Sequence, residues 1–119
     1  MKLADLSEAQ LVSHFRRSFP RGERTIIGIG DDCAQVAAPE GSFVVTTDVM
    51  VEDQHFHFSR SSGYEVGARV AAQNLADIDA MGGRPSALVA SVVAPRDMYA
   101  EVFFDVVRGM GERARLAGA

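Results

Sequence analysis

The chain has 119 residues, of which 47% are hydrophobic and 24% are charged, a composition typical of one globular domain. The net charge is −4 and the basic residues are scattered, so nothing favours a nucleic-acid-binding surface. No apolar run is long enough to cross a membrane, and the N-terminus lacks the apolar stretch of a secretory signal. The single cysteine, Cys33, cannot form an internal disulfide, which predicts a cytoplasmic protein.

The first predicted element is a helix over residues 8–18. Ser7, followed three residues later by Gln10, has the form of a capping box at its start. His14 on this helix is expected at the surface. Hydrophobic side chains recur at helical spacing at Leu11, Phe15 and Phe19.

Four β-rich runs are predicted to be strands, at residues 25–29, 33–37, 43–47 and 88–93. The last of these has no polar alternation apart from Ser91, so both of its faces are expected to be covered. Cys33 is expected to be a small buried residue, because nothing nearby would activate its thiol.

Two further helices are predicted. The first covers residues 64–81, and the second begins near Pro95 and Asp97. The order of helices and strands indicates an α+β fold, with helices packed on one face of a mixed or mostly antiparallel sheet. The apolar stripe of the helix over residues 64–81 consists of Val66, Val70, Ala71, Leu75, Ile78 and Met81. The apolar stripe of the last helix consists of Val102, Phe103, Val106, Val107 and Met110.

Three acidic motifs lie at the ends of predicted elements. In Gly28-Ile29-Gly30-Asp31-Asp32, the glycines let the backbone approach a ligand, and only one of the two carboxylates should face a given site. By itself this motif is more typical of a polar turn. The motif Thr46-Thr47-Asp48 ends an apolar run and offers oxygen ligands of the kind magnesium prefers, although Asp48 also suits a turn cap.

The third motif is Asn74-Leu75-Ala76-Asp77, whose two polar residues share one face of the predicted helix. Lys2 is the only lysine, and the absence of G-x-x-x-x-G-K-[ST] excludes a P-loop. A phosphate-binding protein of this composition would need metal ions, bridged by Asp32, Asp48 and Asp77, to neutralise the phosphates.

His55 and His57 would share one face of an extended segment, which is compatible with a two-histidine zinc site. The single distant cysteine and the surrounding oxygen ligands argue against zinc.

Taken together and in order, these motifs resemble the thiamine-monophosphate kinase family, within the superfamily named after aminoimidazole ribonucleotide synthetase. The match extends over about residues 26–95, and three linked motifs are more specific than any one of them. The matching stretches are Gly28 to Ala34, Thr46 to Glu52 with His55-Phe56, Asn74 to Asp77, and Ala80 to Gly82.

The resemblance implies an enzyme that transfers the γ-phosphate of ATP to thiamine monophosphate, forming thiamine diphosphate. It places magnesium at Asp32, Thr46, Thr47, Asp48 and Asp77, and substrate at His55. It also implies a homodimer in which the sheets of two N-terminal domains close into a barrel, with ATP near the domain interface.

The resemblance also implies that residues 1–119 are an N-terminal metal- and ATP-binding domain. The family continues with a Gly-Gly-Asp motif and a C-terminal domain after the point at which this chain ends. The chain is therefore expected to be a truncated piece or a degenerate relative, with little or no kinase activity alone. Two alternatives stay open: another member of the superfamily, such as a selenophosphate synthetase or hydrogenase-maturation protein, and a non-catalytic dimerisation module.

Overall fold

The computed structural model describes residues 1–119 as three helices and one small sheet. The strands β1 (Thr25–Ile27) and β2 (Gln35–Val36) pair in antiparallel orientation. The predicted α+β class is confirmed, although the sheet has only two strands. No helix has both the length and the hydropathy needed to cross a bilayer. The helices are α1 (Glu8–Ser18), α2 (Gly63–Ala80) and α3 (Ala100–Leu116), preceded by a 3-10 turn at Leu3–Asp5.

The N-termini of α1 and α2 are closed by capping boxes. At α1, the Ser7 hydroxyl accepts from the Gln10 N–H, and the Gln10 side chain accepts from the Ser7 N–H at 2.8 Å. This confirms the predicted start of the helix. Ser62 and Glu65 form the same arrangement at α2, and the Ser62 backbone N–H and hydroxyl lower the pKa of the Glu65 carboxyl.

Helices α2 and α3 pack with their backbones in close approach. A Cβ atom at Gly63 would lie 2.5 Å from the Val102 carbonyl oxygen, and one at Gly67 would collide with the Val106 carbonyl oxygen. Gly109 on α3 meets the backbone of Tyr64 in the same way. The absence of side chains at these positions is therefore what lets the two helices approach.

The core lies between the helices and the segment that precedes α3. Its centre is Val107, which is fully buried, and Phe15 of α1 meets Phe103 edge-on with 5.9 Å between the ring centroids. The buried cluster comprises Ala71, Phe103, Val107 and Met110, with Leu11, Phe15, Phe19, Leu88, Ala90, Val92 and Ala94 packed against it.

Two of the four predicted strands do not form in this chain. Residues 43–50 and 84–94 make no backbone–backbone hydrogen bond, so neither the 43–47 run nor the 88–93 run belongs to a sheet. Burial nevertheless alternates along residues 87–94, as in a strand with one face on the helices. The outer face is uncovered, since Val89 is 86% exposed and Val93 is 96% exposed. The prediction that both faces are covered was therefore wrong.

The start of α3 also differs from the prediction. Pro95 begins a turn that its carbonyl closes by accepting the Met98 N–H, and the helix begins only at Ala100. The Ala100 N–H donates to the Met1 carbonyl at 3.0 Å, and Lys2 pairs with Tyr99, so the N-terminal segment holds Tyr99 extended. Because of this long-range pairing, the helix begins at Ala100 and not near Pro95.

Three single residues depart from their expected burial. Met81 ends the predicted stripe but lies just past α2 and is 72% exposed. Cys33 is exposed in the hairpin connection between β1 and β2, since no layer covers that connection. His14 is half-buried, because its ring stacks on Phe104 with 4.0 Å between the centroids.

Candidate functional site

Asp48 is held by hydrogen bonds against α2. Its Oδ1 accepts the Val49 N–H at 2.9 Å, and its Oδ2 accepts a hydrogen bond from the Gln73 side-chain amide. The Asn74 amide donates to the Asp48 carbonyl at 3.4 Å and to the Val70 carbonyl at 2.9 Å. The Asp48 carboxylate therefore has a defined orientation, and a lone pair on each oxygen is left for a further partner.

A second contact with α2 is made by Thr46, which meets Asp77 of that helix. The Thr46 hydroxyl donates to Asp77 Oδ2 at 3.4 Å, which joins the end of the 43–47 run to the helix. Asp77 is exposed, and Thr47 is exposed without a side-chain hydrogen bond. Two of the three predicted acidic motifs thus meet along α2.

The Gly-Asp-Asp corner lies on the connection between β1 and β2. Gly30 has a φ of 118°, which favours glycine, and the Arg16 guanidinium occupies the space that a Cβ would fill. Arg16 donates to the Ile29 carbonyl at 3.1 Å, which ties the corner to α1. Asp31 Oδ1 accepts the Asp32 N–H at 2.9 Å and so serves the turn, whereas the Asp32 carboxylate makes no hydrogen bond.

The side chains of Thr46, Asp48 and Asp77 beside α2 could act as magnesium ligands, because each offers oxygen atoms. However, the structure contains no group of three or more His, Cys, Asp or Glu side chains arranged to hold a metal ion. Asp32 makes no hydrogen bond to Thr46, Asp48 or Asp77. The chain therefore presents part of an oxygen-ligand site, and the convergence of Asp32 with the other two acids stays a prediction.

His55 lies in a tight loop that leads from the Asp48 segment to α2. The ring Nδ1 of His55 accepts a hydrogen bond from the Val51 backbone N–H at 2.9 Å. The backbone N–H of His55 donates to the Val51 carbonyl at 2.9 Å. Arg69 of α2 donates to the His55 carbonyl at 3.1 Å and anchors the loop. His57 Nδ1 lies 3.0 Å from Asp53 Oδ1.

Four residues of this surface were not identified from the sequence. Gln73 orients Asp48, Arg69 anchors the His55 loop, Arg16 braces the Gly-Asp-Asp corner, and Asp53 contacts His57. The partners of Gln73, Arg69 and Arg16 are 13 to 25 positions away, so no local pattern points to these three residues. Asp53 is only four positions from His57, but its contact depends on the turn that the loop makes. Only Gln73 carried a sequence signal, because it directly precedes the Asn74 motif on the same helix.

Comparison with known proteins gives consistent results. The model of the family described as "AIR synthase related protein, N-terminal domain" matches residues 30–119. A protein named thiamine-monophosphate kinase from Mycobacterium tuberculosis (strain ATCC 25618 / H37Rv) is 38% identical over 117 residues, covering 98% of this chain and 35% of the relative. No solved structure matches the chain.

Two other relatives carry the same name. The protein from Corynebacterium glutamicum is 40% identical over 86 residues, covering 71% of this chain and 26% of its own length. That from Bacillus subtilis is 38% identical over 91 residues, covering 76% of this chain and 28% of its own length. The chain thus spans about a third or less of each relative, and the resemblance to thiamine-monophosphate kinases is confirmed. The chain belongs to the AIR synthase related family, as an N-terminal domain of that family.

Proposed function

We propose that the chain is the N-terminal part of a thiamine-monophosphate kinase, which transfers the γ-phosphate of ATP to thiamine monophosphate. The observation that carries this proposal is the 38% identity to a protein of that name over 117 residues, almost the whole of this chain. The motifs at Asp32, Asp48, Asp77 and His55 all lie within the matched residues, which supports the same activity.

The proposed ligands of magnesium are Asp32, Thr46, Thr47, Asp48 and Asp77, and the proposed substrate contact is His55. Magnesium would offset the negative charge of the phosphates, a role for which P-loop proteins use a lysine and for which this chain has a single lysine. The chain's own contribution is orientation. Gln73 and the Val49 N–H fix the Asp48 carboxylate, and the loop around Val51 fixes His55.

The proposal includes a homodimer in the cytoplasm. Support for the dimer comes from residues 43–50 and 84–94, which make no backbone–backbone hydrogen bond within the chain. Backbone N–H and C=O groups are obligatory hydrogen-bonding groups, so two such segments favour pairing with another copy. We also propose that residues 1–119 alone have little or no kinase activity, because they correspond to about a third of the relatives' length.

A chimera tests the activity directly. In it, this chain replaces the matched 117-residue region of the Mycobacterium tuberculosis relative, and formation of thiamine diphosphate from ATP and thiamine monophosphate is measured. We expect turnover by the chimera and none by residues 1–119 alone. A chimera that melts cooperatively but does not phosphorylate thiamine monophosphate contradicts the proposed substrate.

The role of Asp48 is tested in the same chimera by Asp48→Asn. The substitution keeps the shape but removes the charge, so we expect activity at a fixed magnesium concentration to fall about 100-fold, with partial recovery at higher magnesium. The matched control is Asp79→Asn, because Asp79 is an exposed acid on α2, the helix that Asp48 contacts, and its side chain makes no hydrogen bond to the site. Equal losses in the two variants would show a general charge effect rather than a ligand.

A further inference from the structure

The loop over residues 51–57, here named the His loop, is closed by its own hydrogen bonds. The Asp53 N–H donates to the Phe56 carbonyl at 2.8 Å, and the His55 N–H donates to the Val51 carbonyl at 2.9 Å. The Phe56 and Phe58 rings meet edge-on at 5.1 Å at its end. The His loop is therefore held by contacts within the chain, and Arg69 fixes it to α2.

The tautomer of His55 follows from its partner. A backbone N–H is only a donor, so the Nδ1 atom that receives the Val51 N–H must carry a lone pair. In the neutral ring the proton then lies on Nε2. Because His55 is exposed, its Nε2–H is a donor available to a ligand.

The tautomer of His57 is the opposite one. An ionised carboxylate only accepts hydrogen bonds, so His57 Nδ1, 3.0 Å from Asp53 Oδ1, must carry the proton. The two histidines of one short loop are thus held in different tautomers by two different partners.

Asp53 has a backbone conformation that is costly for it. Its φ is 65°, and it is the only non-glycine residue of the chain with a positive φ. Such a conformation persists when the surroundings hold it in place, and here the Asp53 N–H and carboxylate both bridge across the His loop. Asp53 therefore determines the shape of the loop from both its backbone and its side chain.

We propose that Asp53 and His57 are positioning residues that lock the His loop so that His55 is presented as a neutral Nε2–H donor. The acceptor would be an oxygen atom of a phosphate monoester. The identity of this acceptor rests on the proposed function, whereas the tautomers and the positioning roles do not.

Nitrogen-15 NMR of the histidine rings in the purified chain tests the tautomers at about pH 8, where an ordinary histidine is neutral. We expect the Nε2–H pattern for His55 and the Nδ1–H pattern for His57. A His55 ring that carries its proton on Nδ1, or a freely exchanging mixture at both rings, would overturn the proposal.

Variants of Asp53 separate its carboxylate from its backbone. Asp53→Asn keeps an acceptor oxygen and tolerates the positive φ, so His55 should keep its tautomer. Asp53→Gly keeps the backbone conformation but removes the carboxylate, and we expect the ratio of His55 tautomers to fall about fivefold, the usual effect of one lost hydrogen bond. His57→Phe should act like Asp53→Gly. A His55 ring unchanged in both variants would overturn the positioning roles.

Gln54→Ala is the matched control, because the Gln54 side chain lies in the same loop and makes no hydrogen bond. It should leave both rings as in the wild type. A change as large as in Asp53→Gly would mean that the loop responds to any substitution, which contradicts a specific lock.

Titration with thiamine monophosphate, and with thiamine as the analogue without phosphate, tests the acceptor. Thiamine monophosphate should shift the His55 Nε2–H resonance and thiamine should not, and Asp53→Gly should weaken binding of the phosphate ester about fivefold. Equal shifts with both ligands would overturn the assignment of the phosphate as acceptor. If neither ligand binds while the tautomers are as expected, the assignment of the phosphate as the acceptor fails and the lock stands, whereas the proposed substrate is tested separately by the chimera.

Discussion

At the scale of single residues, His14 is the titratable side chain with the most unusual surroundings. Its ring stacks on Phe104, and its Nε2 is buried without a hydrogen-bond partner. Burial lowers the pKa of His14, the nearby positive charge of Arg17 lowers it further, and the proximity of the Phe104 backbone opposes both effects.

This lowered pKa makes the folded chain sensitive to mild acid. The unfolded chain binds a proton at an ordinary histidine pKa of about 6.5, whereas folded His14 binds it only at lower pH. Stability from this group is thus fully present above the unfolded pKa and is lost as the pH falls toward the folded one. His14→Phe keeps the stacking and removes the titration. We therefore expect the midpoint of urea unfolding to change less with pH in this variant than in the wild type, between about pH 7 and pH 5.5. Parallel pH curves for the two proteins would rule this out.

Residue-scale predictions from the sequence succeeded where the partner is close in the chain. Ser7 and Gln10 are three positions apart, and their mutual capping follows from that spacing alone. His14 and Cys33 were assigned the wrong environments, because burial depends on what packs above a residue. For His14 that residue is Phe104, far away in sequence.

At the scale of elements, the contacts of α3 with α2 and α1 explain glycines that helix propensity alone disfavours. In a helix, glycine is less favourable than alanine by about 1 kcal/mol, so Gly109 and Gly111 on α3 look like weaknesses in the sequence. In the fold, Gly109 meets the Tyr64 carbonyl and Gly111 meets the Ser18 carbonyl, and a Cβ at either position would collide with the backbone. The close approach of the helices explains their glycines.

Gly67→Ala tests this contact. The new methyl group would collide with the Val106 carbonyl, and neither backbone can move without separating the helices. We expect the free energy of unfolding to fall by about 1–3 kcal/mol in spite of the better helix propensity of alanine, as measured by chemical denaturation.

The control for this prediction is Asp79→Ala, at an exposed position of the same helix. It should change the stability by no more than about 0.5 kcal/mol. A neutral or stabilising Gly67→Ala would mean that the helices have room between them, contrary to the packing described above.

At the scale of the whole molecule, the outer face of residues 87–93 is the most open apolar feature. Val89 and Val93 point away from the helices, and the backbone beside them has no hydrogen-bond partner. An unpaired strand edge with apolar side chains favours association, and the proposed homodimer would cover it.

Val93→Lys should weaken that association. A charge on this face opposes burial against another copy, so we expect sedimentation velocity to show a larger monomer fraction than the wild type at the same concentration. Leu116→Lys is the matched control, because Leu116 is an apolar residue that is 75% exposed near the end of α3 and is not part of residues 87–93. If the two lysine variants sediment alike, the 87–93 face is not where copies meet.

The sequence by itself determined the three helices, the capping box of α1, the α+β class and the motifs that place the chain in its family. These features depend on residues a few positions apart, whose spacing is read along one element. Only the tertiary structure decided which β-rich runs pair, which side of the 87–94 segment is covered, and how Gln73 orients Asp48. Strand pairing, burial and side-chain hydrogen bonds between separate segments depend on residues far apart in the chain, so local spacing does not encode them.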